Sequence, residues 1–357
     1  VSAPLKTRQQ SIDALRGVGL LLMLVDHCFD WWLSGEYRGT FADTFTEFLG
    51  TLAAPIFLIL AGLGVAFAAA SRRKRGLSRH DILLHFLRRG LWLIAAGYLL
   101  NLAVFFVGDN AADIFAVDIL HLIGFGIILI ALIEPLPAPV IALLSAAWAV
   151  LGALGGGAFA LPEPFGAWVN GSSGIGYFPL LPWLAYMGMG AAVGKWLRSQ
   201  FRDESARVAP GLGLMSAAGF GLMIILPNAG YRHPRLGFIG FSLGVTFALW
   251  LILYMLERRT LGFTQKIIIA PLALLGRQAF FLYAFHHLIG YRLFYALGWV
   301  TGRAWHGQYG TFNPHAALIG FLTMIVLCYA AARIWPPIRG RLLALKRPSS
   351  RTPPPKP

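Results

Sequence analysis

Charged side chains are scarce in this chain: Asp, Glu, Lys and Arg make up 13% of its 357 residues. A soluble domain carries roughly a quarter, so a soluble globular protein is excluded. Cysteine is scarcer still. Cys28 and Cys328 are the only two, which excludes a disulfide framework; they are expected near opposite membrane faces, unpaired. Acidic residues number 15 against 30 Lys and Arg, a formal charge of +15. That excess does not point to nucleic acid, because the basic residues sit in short loops beside apolar runs. The partners expected of them are membrane lipids. A small-residue cleavage site after the first apolar run is also missing, so that run is expected to stay in the membrane as an anchor.

Apolar sequence is what the chain has in quantity, at 57%. Ten runs stand out, at 11–32, 50–70, 85–107, 117–134, 138–155, 179–198, 209–226, 238–257, 270–298 and 314–336. Each is long enough, or nearly so, to cross roughly 30 Å of hydrocarbon as a helix. The fold class expected is all-α, a polytopic transmembrane bundle of about ten spans. The fourth and fifth runs read as a helical hairpin across the Glu134–Pro139 turn, and the long ninth as tilted or kinked. Residues 11–336 form the transmembrane domain, between an N-terminal segment, 1–10, and a basic, Pro-rich tail, 337–357.

Orientation follows from Lys and Arg in the flanks. With ten spans, the basic loop from Arg72 to Arg79, the Lys195–Arg207 loop, the pair Arg258 and Arg259, and the tail all share one face. Only Arg38, Arg232, Arg235, Arg292 and Arg303 are left for the other. Both termini are therefore expected in the cytoplasm. The outer loops are acidic or aromatic, with Asp30, Glu36, Asp43, Glu47, Asp109, Asp113 and Asp118.

The first run, Ser11 to Trp32, carries Asp13, Arg16, Asp26, His27 and Asp30. Ionisable groups in a bilayer segment are costly and normally face a bundle interior or a wet cavity. Arg16 and His27 are eleven residues apart, about three turns, so they share a face some 16 Å apart. His27 lies roughly 22 Å from the inner end of its span, and His286 about as far beyond Pro271. His121, entering from outside, lies roughly 24 Å from the inner boundary. Three histidines on three spans thus share a level, with Asp118 and the Phe178–Trp183 stretch beside them. His286 and His287 are about 100° apart on a helix, so only one is expected to face a shared site. No HxxH or HxxxH pair accompanies the histidines, and no metal is expected. Near the inner face lie Arg16, Arg88, Arg89, Arg277 and Gln278. Arg88 and Arg89 suit headgroup contact as well as an anion. Arg16 and Arg277, one and two turns inside their spans, suit an internal anion site.

Four stretches carry a resemblance: SIDALRGVGLLLMLVDH from Ser11, TLAAPIFLILAGLGVAF from Thr51, DILHLIGFG with FPLLPWLAYMGMGAAVGKW, and LGRQAFFLYAFHHLI ending at Ile289. In this order they are similar to the heparan-α-glucosaminide N-acetyltransferase catalytic-domain family and its bacterial members. The Arg16-to-His27 spacing also resembles the first helix of acyltransferase-3 membrane proteins. The resemblance implies an enzyme of the bacterial-type inner membrane. It would take an acyl group, typically acetyl, from cytoplasmic acyl-CoA and deliver it to an acceptor at the outer side, commonly a sugar or envelope glycan. It implies that Arg16, Arg277, Gln278, Arg88 and Arg89 bind the acyl-CoA, that His27 is the general base with Asp26, Asp30 or a carboxylate from another position such as Asp118 orienting it, and that His286 and His121 complete the catalytic set. Two other classes stand beside this one. A proton-coupled transporter also needs buried histidines, and a non-catalytic membrane protein of the same fold would keep them for packing.

Overall fold

The computed structural model describes residues 9–105, 114–155, 161–162, 165–171, 176–200, 206–226, 235–258, 262–293 and 310–345. Among these the chain is helical, with two isolated bridges, Leu33–Phe312 and Val117–Gly176, and no strand. The helices are α1 Gln10–Trp32, α2 Phe41–Gly50, α3 Ala53–Lys74, α4 Arg79–Phe105, α5 Ile119–Ile133, α6 Ala138–Gly155, α7 Phe165–Val169, α8 Leu180–Gln200, α9 Val208–Ile225, α10 Leu236–Arg258, α11 Gly262–Thr264, α12 Ala270–Arg277, α13 Ala279–His287 and α14 Pro314–Leu345. A five-residue π-helical stretch, Gln265–Ile269, precedes the ninth apolar run, and a six-residue one, Leu288–Leu293, lies within it. The expectations for Arg202, Arg232, Arg259, Arg303, Asp109, Asp113 and the tail beyond residue 345 lie outside the described residues.

Where it is described, each apolar run is helical, and the departures have local causes. α2 is an amphipathic helix that the hydropathy pattern passes over because it is short and carries Asp43 and Glu47. The ninth run is broken: at Gln278, with φ −104° and ψ 12°, the chain turns by 74° between Gly262–Arg277 and Ala279–Arg292. The last helix does not end at 336. It continues through Pro336 and Pro337 to Leu345, so the start of the expected tail is helical. Cys28 and Cys328 are not at opposite faces. Both are buried in one cluster where α1 meets α14, near enough to interact electrostatically, and both are free thiols.

Five helical segments among the described residues are long and apolar enough to cross a membrane: Phe41–Lys74, Arg79–Val104, Val208–Ile225, Leu236–Arg258 and Pro314–Gly340. The bent pair makes a sixth if it counts as one span. Their outward faces are apolar too, as at Leu214, Ile224, Ile225, Ile319 and Val326. A soluble protein hides such surface, whereas hydrocarbon tolerates it. The chain is a membrane protein.

α1 lies at the centre, packed on α2, α3, α10, α12, α13 and α14. Its first turn leaves backbone N–H groups without helical partners. Gln10 and Ser11 donate theirs to the two carboxylate oxygens of Glu257 on α10, at 2.8 and 2.9 Å. Along its length α1 approaches α12 backbone to backbone. A Cβ on Gly17 would overlap the Leu272 carbonyl, and one on Gly276 the Asp13 carbonyl. Small residues permit this closeness, which supplies van der Waals contact where water cannot drive helices together. Each of these glycines neighbours a candidate arginine, Arg16 before Gly17 and Arg277 after Gly276.

A second fastening joins three helices at the basic end. Glu134, in the α5–α6 turn, accepts from both terminal nitrogens of Arg73, at 2.5 and 2.6 Å, and its carbonyl accepts from Lys195 Nζ at 2.6 Å. Burial pushes the Glu134 carboxyl up, but the Arg73 and Lys195 cations outweigh it and hold it below its ordinary 4.5.

Candidate functional site

A cavity of roughly 490 Å³ runs beside α1, between α3, α4, α5 and the α12–α13 bend. Arg16, Arg89 and Arg277 line it, and so do Asp26, His27, Asp118, Phe178 and Tyr283. The cation set and the histidine level therefore meet in one space. The apolar stretch between them is walled by Met23, Phe57, Ala61, Val65 and Phe86.

At the basic end, Arg16 is one-quarter exposed and its guanidinium pairs with buried Asp13 at 3.1 Å. The Gly17–Gly276 approach brings Arg277 to the same wall. Arg89 reaches the cavity from α4, whereas Arg88, next to it, is exposed and outside the wall. Gln278 caps the break between α12 and α13 and also stands outside it. Two residues that sequence reasoning passes over stand behind Arg89. Arg72 donates to His85 Nε2 at 2.6 Å and lies over the Phe86 ring, 5.7 Å from its centre. The basic run from Arg72 is legible as a topology signal. That α3 and α4 fold it back toward His85 is not.

The histidine end is assembled by α1 and α13. His27 Nδ1 and His286 Nε2 are 2.9 Å apart, with the rings stacked at 5.2 Å. Which nitrogen carries each proton follows from the neighbours. A carbonyl only accepts, so His286 Nδ1, 2.9 Å from the Leu282 oxygen, holds a proton and donates it. Neutral His286 then has its lone pair on Nε2. The proton in the His27–His286 bond therefore belongs to His27 Nδ1, and neutral His27 keeps a lone pair on Nε2. No carboxylate is needed to orient His27. Its sequence neighbour Asp26 lines the cavity against Gly50, where a Cβ would overlap the carboxylate. Asp30 instead pairs with Arg38 at 3.3 Å on the exposed side.

His287 also reaches this group, contrary to the expectation that one of the adjacent histidines must turn away. Its ring is 5.0 Å from His27 and 4.2 Å from His286. The 100° between neighbouring positions is bridged because both rings lean toward Trp31, which packs on His286 at 5.7 Å and on His287 at 5.2 Å. His121 stands elsewhere. It closes a capping box at the start of α5, accepting from the Asp118 N–H at 3.1 Å, and it packs on Tyr98 and Trp168 rather than on the cavity. Its N-cap partner Asp118 does line the cavity and accepts from the Tyr283 hydroxyl at 2.6 Å. Phe178 joins the wall because its N–H bonds the Val117 carbonyl at 3.2 Å, tying the Phe178–Trp183 stretch to the start of α5.

A comparison with curated proteins finds no match. A comparison with protein families finds one: residues 8–220 match the catalytic domain of heparan-alpha-glucosaminide N-acetyltransferase. The matched stretch covers more than half of the chain and includes Arg16, His27, Arg89 and Asp118 from the cavity wall. With four such residues inside the matched region, the chain belongs to the heparan-alpha-glucosaminide N-acetyltransferase catalytic-domain family.

Proposed function

We propose that this protein is a membrane acyltransferase that moves an acetyl group from cytoplasmic acetyl-CoA to a sugar or envelope glycan at the outer side of a bacterial-type inner membrane. The observation that carries the reading is the cavity itself, which joins three arginines to His27 through an apolar passage. Arginine forks suit phosphate oxygens in geometry and charge, so Arg16, Arg89 and Arg277 hold the phosphates of the donor. The apolar middle suits a thin pantetheine arm. About 16 Å along α1 from Arg16, the thioester carbonyl meets His27.

There His27 Nε2 takes the proton from the acceptor hydroxyl or amine as its oxygen or nitrogen attacks the carbonyl carbon. The carbon–sulfur bond breaks, CoA leaves as thiolate, and the imidazolium returns the proton to it. His286 holds His27 in the required tautomer through the Nδ1–H bond. Asp26 and Asp118 favour the cation that His27 becomes. Ten spans with both termini in the cytoplasm put the arginine end on the donor's side.

The test is acetyl-CoA binding and transfer by the purified full chain in detergent or nanodiscs. Arg16→Ala should weaken acetyl-CoA binding, and His27→Ala should bind it but not transfer. Absence of acetyl-CoA binding to the unsubstituted protein would overturn the reading.

A further inference from the structure

His27, His286 and His287 each present a ring nitrogen, and the three atoms lie within 4.8 Å of one another. His287 repeats the arrangement of His286. Its Nδ1–H donates to the Tyr283 carbonyl at 2.9 Å, which leaves its lone pair on Nε2. Two adjacent histidines thus have their Nδ1 atoms tied to backbone oxygens and carry on Nε2 the lone pairs a metal needs. Metal-ligating histidines are held in this way, because the outer hydrogen bond fixes both tautomer and ring direction. Distances agree. Zinc–nitrogen bonds of about 2.0–2.1 Å place tetrahedral ligands about 3.4 Å apart, between the 2.9 Å of the His27–His286 pair and the 4.8 Å limit of the set. Trp31 backs the three rings on one side, and His27 opens onto the cavity on another.

We propose that these three imidazoles form a binding site for one divalent ion of the zinc class, with a water in the fourth position. Neutral imidazoles suit zinc, cobalt, nickel or copper and not magnesium or calcium. The ion would take the place of the proton now shared by His27 and His286. With Nδ1 on the metal, neutral His27 carries its single proton on Nε2 and has no lone pair for the acceptor. The proton moves from one ring nitrogen to the other, and none is gained or lost. Zinc is therefore an inhibitor of transfer, a consequence that rests on His27 being the base.

The experiment titrates chelator-treated full-length protein in detergent with Co²⁺ and follows its visible d–d absorption. One equivalent should bind with the strong bands of a four-coordinate site, and Zn²⁺ should displace it. His287→Ala and the milder His287→Gln, each confirmed monodisperse, should lose affinity at least tenfold, while His121→Ala should not. Absence of saturable binding, or binding indifferent to both His287 variants, overturns the site. Acetyl transfer is then measured with and without Zn²⁺, each variant against its own zinc-free rate. Inhibition reversed by chelator, and lost in the His287 variants, supports the whole proposal. Cobalt binding as expected with transfer untouched by zinc keeps the metal site and overturns His27 as the base.

Discussion

At the scale of single residues, the site turns on which nitrogen of one histidine carries a proton. His27 is held by a hydrogen bond to His286, and His286 by one to the Leu282 carbonyl. His27→Ala removes the proposed base and should lower transfer by roughly 10²- to 10⁴-fold, with acetyl-CoA affinity unchanged in a direct binding measurement. His286→Ala leaves the base but frees its orientation. It should lower kcat by a smaller factor with KM little changed, as loss of an orienting partner does when substrate contacts are intact. A change confined to KM would show that His286 contacts substrate rather than His27. The arginine and histidine of α1 are legible in the sequence, because charged groups in an apolar run stand out. Their partners are not. Helical spacing turns one of His286 and His287 away, and the family resemblance pairs His27 with Asp26, Asp30 or Asp118. Ring contacts depend on how α13 meets α1, and chain spacing says nothing of that.

At the scale of elements, two backbone approaches place the arginine end of the cavity. Gly17 and Gly276 let α1 and α12 touch at the Leu272 and Asp13 carbonyls. Gly276→Ala inserts a methyl group into backbone that has nowhere to go, so α12 must move from α1. Overpacking of this kind costs about 1–3 kcal/mol, and Arg277 is carried off with the helix. The variant should unfold at lower temperature and bind acetyl-CoA more weakly. Gly64→Ala, on the same cavity but with open space at its Cβ position, should bind it as the unsubstituted protein does. The apolar helices are readable from hydropathy, but α2 and the last nine residues of α14 are not. The break at Gln278 is readable only as a kink somewhere in a long run. Its place shows only in the packing: Arg277 reaches the cavity before the 74° turn, and His286 reaches His27 after it.

At the scale of the molecule, the α5–α6 turn is fastened to α3 and α8 through Glu134. A carboxyl held below its ordinary pKa stabilises the fold above that ordinary value, 4.5. The contribution is lost as pH falls through the lowered value. Thermal midpoints of the unsubstituted protein should therefore fall on acidification below about pH 4.5. Glu134→Gln should lie lower at neutral pH and depend less on pH across that range. Parallel curves would remove Glu134 from the acid response. Topology is tested separately: reporters placed after residue 40 and after residue 75 should signal from opposite faces of the membrane.

The amino-acid sequence by itself determined that the chain is a helical membrane protein, where its apolar helices run, and that the first of them carries a cation and a histidine on one face. Those features are local. They depend on runs of apolar side chains and on the 3.6-residue turn, which any stretch of chain expresses without its neighbours. Only the tertiary structure decided that Arg89 and Arg277 share a cavity with Arg16, that His287 joins His27 and His286, and that His121 serves the start of α5. Each of these joins segments far apart in the chain. Contacts of that kind are set by helix crossing, close glycine approach and one broken span, none of which a hydropathy pattern records.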